Sequence, residues 1–303
     1  MSSRTRVELG RREDLGADCA NCFGLCCVAL AFSRSSDFPV DKPAGDPCTN
    51  LDSEDGCTIH RRLRPEGFVG CTVFDCFGAG QKVSTHTFGG VSWRSDAAVR
   101  ERMFAVFPLV RRLHELLWYL DVALALEVDA ALGDAVLGRF EAVHALTLAS
   151  PEQILAADVD GEFAASRPLL INASATARAG VRAGSDRRLV PGADLLGADL
   201  RGADLRGADL RGALLIAADL SRADLHRCDV LGVDLRDADV SGADLSGALY
   251  LTQAQVSSAR GDAATVLPPH FERPSHWSST TAPDRPRTSG RRPAGPRRTG
   301  RRR

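Results

Sequence analysis

The chain has 303 residues, with 38 Lys and Arg against 39 Asp and Glu, for a net charge of −1. That length has room for two or three small domains, and the near balance excludes a partner selected by overall charge. Walker loops, dinucleotide-binding glycine loops, G-x-S-x-G elbows and HExxH helices are all missing, which removes the common catalytic frames.

Residues 1–18 are charged (Arg4, Arg6, Glu8, Arg11, Arg12, Glu13, Asp14) and contain no apolar h-region, so a cytoplasmic chain without a secretory leader is expected. Eight of the nine cysteines then crowd between Cys19 and Cys76: Cys19, Cys22, Cys26, Cys27, Cys48, Cys57, Cys71 and Cys76. His60 and His86 lie in or just after this span. In a reducing compartment, C-x2-C spacing points to metal more than to disulfides. Thiolates are soft ligands, and four of them close a tetrahedral Zn²⁺ site or hold an iron–sulfur cluster. Regulatory disulfides and free thiols remain open alternatives. Arg61, Arg62 and Arg64 are expected to stabilise thiolate charge, and adjacent Cys26 and Cys27 to serve two sites. The order C-A-N-C-F-G-L-C-C, C-T-N-L, G-C-T-I-H, R-P, G-C-T-V-F resembles a family of cysteine clusters described as chelating zinc or iron. It departs from that pattern in the three residues between Cys22 and Cys26 and in Thr72, where the pattern has Arg. The resemblance implies that Cys19, Cys22, Cys26, Cys27, Cys48, Cys57, Cys71 and Cys76, with His60, form the metal set of a metal-stabilised irregular domain over 1–90. Zn²⁺ is the first expectation and iron or Fe–S the second.

A helical region is expected over 95–185. Asp96 suits a helix start, and Phe107, Val110, Leu113, Leu117, Leu120 and Leu124 make a helical stripe. Pro108 is expected to start or kink this helix. Arg111, Arg112, His114, Glu115 and Asp121 exclude a membrane span, so no membrane partner is expected. Residues 134–148 read as a second helix, and Ser150-Pro151-Glu152 as a cap with Pro at the first helical position. Weaker helices are expected over 162–170 and 173–183. His114 beside Glu115 reads as a surface pair rather than an acid–base couple, and His144 likewise as a surface residue.

From Ala193 to Tyr250 the chain repeats A-D-L-x-G with a period of five. Five matches neither a helix nor a strand, so the chain must turn a corner in each unit. The central residues are Leu195, Leu200, Leu205, Leu210, Leu215, Leu220, Leu225, Val230, Leu235, Val240 and Leu245, with Tyr250 ending the series. A small residue stands two positions before each, which fills a narrow core. The pattern resembles the pentapeptide-repeat family, which implies a right-handed quadrilateral β-helix of about three coils, roughly 15 Å tall, over 191–262. On that frame Leu195 stacks on Leu215 and Leu235. Thr252 caps a short closing helix that ends at Gly261. Eleven Asp face six Arg in this stretch, an interlaced charge ill suited to duplex mimicry. Leu196, Leu214 and Ile216 fall on one face, and Leu231, Leu249 and Leu251 on the adjacent one. Both groups are expected to pack on the helical region.

After Trp277 the chain is Pro, Ser, Thr, Gly and Arg, with nine Arg and one Asp from Asp284 onward. A disordered basic tail is expected over 278–303, the only segment suited to nucleic acid. The basic residues are nearly all Arg, with Lys only at Lys42 and Lys82, a bias fitting a GC-rich bacterial genome. The sequence therefore reads as a non-enzymatic protein whose repeat offers a surface to an unknown protein partner. A metal-dependent enzyme or redox sensor built on the cysteines is the second reading, and a DNA mimic protecting a topoisomerase the third.

Overall fold

The computed structural model describes residues 15–181 and 186–277, so the basic tail lies outside the described residues. Short helices punctuate the cysteine-rich segment: α1 (Leu25–Val28), α2 (Val69–Val73) and α3 (Ala79–Gln81), the last running on as a π-turn segment over Lys82–Thr87. The segment has an apolar core as well as thiols. Phe23, Leu25, Val28, Val83 and Trp93 pack against Met103, Val106, Phe107 and Val110 of the next helix. Two buried hydrogen bonds pin this layer: Trp93 Nε1 donates to the Phe23 carbonyl at 2.9 Å, and the Phe23 N–H donates to Ser84 Oγ at 2.9 Å.

That next helix, α4 (Ala97–Leu124), is the spine of the molecule. Asp96 caps it, accepting the Val99 N–H at 2.9 Å. The helix passes through Pro108 without ending, although an interior Pro costs about 3 kcal/mol. Val106, Phe107 and Val110, all fully buried around it, supply packing that offsets that cost. The C-terminal half buries Leu113, Leu116, Leu117 and Leu120 in a second core.

Helices α5 (Ala130–Thr147), α6 (Pro151–Leu155) and α7 (Val159–Arg178) close this second core. Their starts are written locally: Asp129, Ser150 and Asp158 each accept a backbone N–H in the first turn, and Ser150 forms a full capping box with Gln153. Where two weak helices were expected, α7 is one helix running through Pro168. Its buried residues Val159, Ser166, Leu170, Ala173, Ser174 and Ala177 recur at helical spacing along one side. Among the described residues no helix is long and apolar enough to cross a membrane.

From Asp194 the backbone returns to the same place every twenty residues. Single-residue parallel bridges join Asp194 to Leu214 and on to Asp234, Asp199 to Asp219 and Asp239, Asp204 to Asp224 and Asp244, and Asp209 to Asp229 and Leu249. Extended strands are absent among the described residues, because each side of the coil is one bridge long between corners. The eleven central residues from Leu195 to Leu245 are all buried in one core with Ala208, Ala213, Ala218, Ala223, Cys228, Val233, Ala238 and Ala243. Tyr250 departs from the expected series. Its φ is +60°, and its ring leaves the coil to pack with α4 and α7, while Leu251 enters the coil core.

The corners explain the Asp of the repeat. Asp Oδ1 accepts the N–H of the residue two places on at Asp194, Asp199, Asp204, Asp209, Asp219, Asp224, Asp229, Asp234, Asp239 and Asp244. Each of these carboxylates thus closes its own turn and gives that corner's amide a partner. The far end is sealed by α8 (Gln253–Ser258), where Thr252 and Gln255 form a capping box. The ladder continues past it through Asp239–Arg260 and Asp244–Val266 bridges. Trp277 lies over Gly261, where an added Cβ would come within 2.6 Å of the indole, and its Nε1 donates to the Ala259 carbonyl at 3.0 Å.

Candidate functional site

The thiols of the N-terminal segment converge. All are free: Cys19 is exposed, Cys22 and Cys48 are buried, and Cys26, Cys27, Cys57, Cys71 and Cys76 are half-buried. The turn Gly24–Cys27 and helix α1 present Cys26 and Cys27 side by side, their Sγ atoms 3.9 Å apart. Cys22 and Cys76 come together over Gly80, where an added Cβ would stand 2.8 Å from one sulfur and 3.8 Å from the other. Cys26 lies near Cys19, Cys22 and Cys76 on one side and near Cys57 and Cys71 on the other. Cys27, Cys48, Cys57 and Cys71 share a small core with Ile59, Leu63 and Phe68.

Burial is the main cause that pushes Cys19 to about 11 and Cys22 and Cys71 to about 12, with neighbouring thiols adding to the rise. As they stand, these groups hold their protons at neutral pH; a bound cation reverses that balance. Among the described residues, no three His, Cys, Asp or Glu side chains stand in an arrangement that holds a metal ion. The fit is therefore one of donor type and of pairs.

The structure corrects the expected companions of the thiols. His60 is exposed on a short turn. Arg62 pairs with Glu66 at 3.4 Å, and Arg64 reaches across to donate to the Ser257 carbonyl at 3.1 Å, so these arginines serve other partners. The cation set among the thiols is Lys42, which the sequence marked only as one of two lysines. It is buried, and its Nζ donates to the carbonyls of Val28, Pro43 and Asp46 at 3.2, 2.9 and 2.8 Å. Burial lowers its pKa, and Cys48, Cys27 and Cys26 act in the opposite sense.

His114 also differs from expectation. It is fully buried, with Nδ1 2.7 Å from the Phe77 carbonyl and Nε2 without a hydrogen-bond partner among the described residues. Loss of solvation holds its pKa down at about 4. The ring is a neutral core group rather than a surface partner of Glu115, which instead accepts from Tyr119 Oη at 3.1 Å.

The faces of the coil divide sharply. Leu249 is buried and Leu231 packs beside it in the helical core, as expected for that face, whereas Leu251 turns into the coil core instead. Leu196 and Leu214 are 64% and 42% exposed, so the neighbouring face does not pack on the helices. The covered face also holds a polar lock. Asp229, with no exposure, accepts from Ser174 Oγ of α7 and from the Leu231 N–H at 3.0 Å. Arg178 of α7 bonds Ser174 Oγ at 3.1 Å and Asp209 at 3.0 Å. Elsewhere the acidic corners are neutralised in place: Arg201–Asp219 at 2.7 Å, Arg206–Asp204 at 2.8 Å, Arg211–Asp209 at 2.6 Å and Arg236–Asp234 at 2.6 Å.

Comparison with known proteins agrees with this geometry. The family described as Pentapeptide repeats matches in eight copies, over residues 193–230 and 213–249. A relative from Bacillus subtilis (strain 168), which bears the name "Uncharacterized protein YybG", is 49% identical over 278 residues, covering 91% of this chain and 100% of the relative. With the coil, its corner aspartates and a relative matched along its whole length, the chain belongs to the pentapeptide-repeat family, in the same group as YybG.

Proposed function

We propose that the protein is a non-enzymatic interaction scaffold whose repeat is a right-handed quadrilateral β-helix. The observation that carries this reading is the uncovered apolar patch of Leu196, Leu214 and half-buried Ile216. The twenty-residue bridge spacing supports the four-sided geometry. The next face round is occupied by the chain's own helices and the far end is capped, which leaves this patch as the apolar ground for a protein partner. Paired Asp and Arg around the coil argue against a duplex-like field.

In this reading the thiol cluster is a structural site for zinc, with iron second. Its residues fall into two tetrads that meet at the Cys26–Cys27 pair: Cys19, Cys22, Cys26 and Cys76, and Cys27, Cys48, Cys57 and Cys71. Their separate neighbourhoods support the division. A bound metal would supply charge to hold buried thiolates and to tie α1, α2 and the segment before α3 together.

Two measurements on the purified full chain test the reading. Elemental analysis should find close to two zinc ions per chain, with Cys22→Ser and Cys57→Ser each removing about one. No metal, with both variants harmless to stability, rejects the thiol site. For the scaffold, the Leu196→Asp/Leu214→Asp double variant should lose the complexes that the parent forms in cells while keeping its melting temperature. Identical complexes from both proteins reject the patch.

A further inference from the structure

We infer that the seam between α7 and the coil is a binding site for a small amphipathic anion, a carboxylate or sulfonate on an apolar body. A cavity of about 750 Å³ opens there, within the ~300–1,000 Å³ range of small-molecule sites. Its walls are apolar: Phe163, Leu170 and Ile171 from α7, and Leu231 from the coil. Among the described residues its charged lining is two guanidinium groups, Arg167 and Arg211, and no carboxylate lines it.

The two arginines differ. Arg211 is held by Asp209 at 2.6 Å and stands 3.6 Å from Asp229, so its charge is already answered. Arg167 is exposed and has no carboxylate partner among the described residues. An unanswered guanidinium at the rim of an apolar cavity selects an anion with an apolar tail.

The coil wall is shaped for close approach. Gly192, Gly212 and Gly232 form one column of left-handed corners, with φ of +71°, +67° and +67°. The conformation does not itself demand Gly, because other corners of the same coil place Ala217, Arg222, Arg227 and Asp237 at positive φ. Only at this column do three stacked corners all lack a side chain, and an added Cβ at any of them meets nothing within 4 Å. The glycines therefore keep the cavity open rather than merely closing the turn. The site is independent of the thiol cluster.

The test is calorimetric titration of the full chain with decanoate below its micellar concentration, alongside decanol and decyltrimethylammonium. Saturable 1:1 binding of decanoate is expected, at least about tenfold tighter than either analogue. Arg167→Gln should weaken decanoate about tenfold while leaving decanol unchanged. Gly212→Asp places a carboxylate in the cavity, at a corner type where Asp237 already stands, and should abolish decanoate binding with the fold intact by circular dichroism. Absence of saturable binding, equal binding of decanoate and decanol, or indifference to Arg167→Gln overturns the proposal. Arg167→Gln decides alone if Gly212→Asp does not fold, since Arg167 is exposed and has no carboxylate partner among the described residues.

Discussion

Ser174 of α7 donates its hydroxyl to Asp229, the one corner aspartate of the coil that is completely buried. Elsewhere the repeat turns its carboxylates to water or to a neighbouring Arg. Here the helix covers the carboxylate and must supply its partner. Removing either side chain leaves a buried polar group unmet, so Ser174→Val and Asp229→Ala should each cost about 2 kcal/mol, with a coupling of about 1 kcal/mol in a double-mutant cycle. Burial is the main influence on Asp229 and raises its pKa. The folded protein therefore holds this proton to higher pH than the unfolded chain does. This group's contribution to stability is full below the ordinary carboxylate pKa and falls as pH rises through the folded value. Asp229→Asn keeps an acceptor for the Leu231 N–H and should flatten that fall; urea titrations at pH 4 and pH 7 measure it.

Leu249 and Leu196 test which face is a core. Leu249 stands where most corners carry Asp, and it packs with Tyr250, whose hydroxyl donates to the Leu170 carbonyl at 2.8 Å. A charge at that position is buried without a partner. Leu249→Asp should lower stability by more than about 3 kcal/mol. Leu196→Asp, on the open face, should stay within about 0.5 kcal/mol. Thermal melts of the two variants distinguish a docked face from a free one; equal losses would contradict the division drawn here.

This contrast also shows what was legible in the sequence. The period of five located every inward residue from Leu195 to Leu245 and the register of the stack, because a coil this narrow leaves each side chain one place to go. Helix starts at Asp96, Ser150 and Thr252 were legible because capping is local. The separate fates of Leu196 and Leu249 were not, since they depend on where α4 and α7 lie. Nor were the burial of His114 and Lys42, which are polar residues covered by distant segments. The ring of Tyr250 fitted the repeat in sequence and left it in space, because one left-handed residue at the coil's end redirects it. The corner bonds of the aspartates were not legible for a different reason: a carboxylate in a sequence shows its charge, while the N–H it accepts belongs to the main chain.

His114 predicts an acid-sensitive core. Loss of solvation is the largest cause of its low pKa of about 4, against an ordinary value near 6.5. The ring is neutral when folded and charges readily when unfolded. Its stability contribution is therefore full above about pH 6.5 and is lost as pH falls from there toward 4. A shift of this size corresponds to about 3 kcal/mol once both values are passed. The unfolding midpoint in urea should drop through that window, and His114→Gln should lessen the drop. A midpoint that tracks pH identically in both proteins would assign the acid sensitivity elsewhere.

The role of the repeat's acid can be separated from its charge at Asp224. Its Oδ1 accepts the His226 N–H at 2.9 Å, and Arg206 Nε stands 3.7 Å away while Arg206 itself bonds Asp204. Were charge the purpose, Asn would fail as Ala does. Were the turn the purpose, Asn would serve, because its carbonyl oxygen accepts the same N–H. The backbone favours the turn, since an open corner amide at a bend of the coil has no other protein partner. Asp224→Asn should therefore change stability by less than about 0.5 kcal/mol and Asp224→Ala should cost about 1 kcal/mol, read from denaturant midpoints at high and low salt. Salt should leave the difference between them unchanged, whereas a loss that shrinks with added salt would return the aspartates to an electrostatic role.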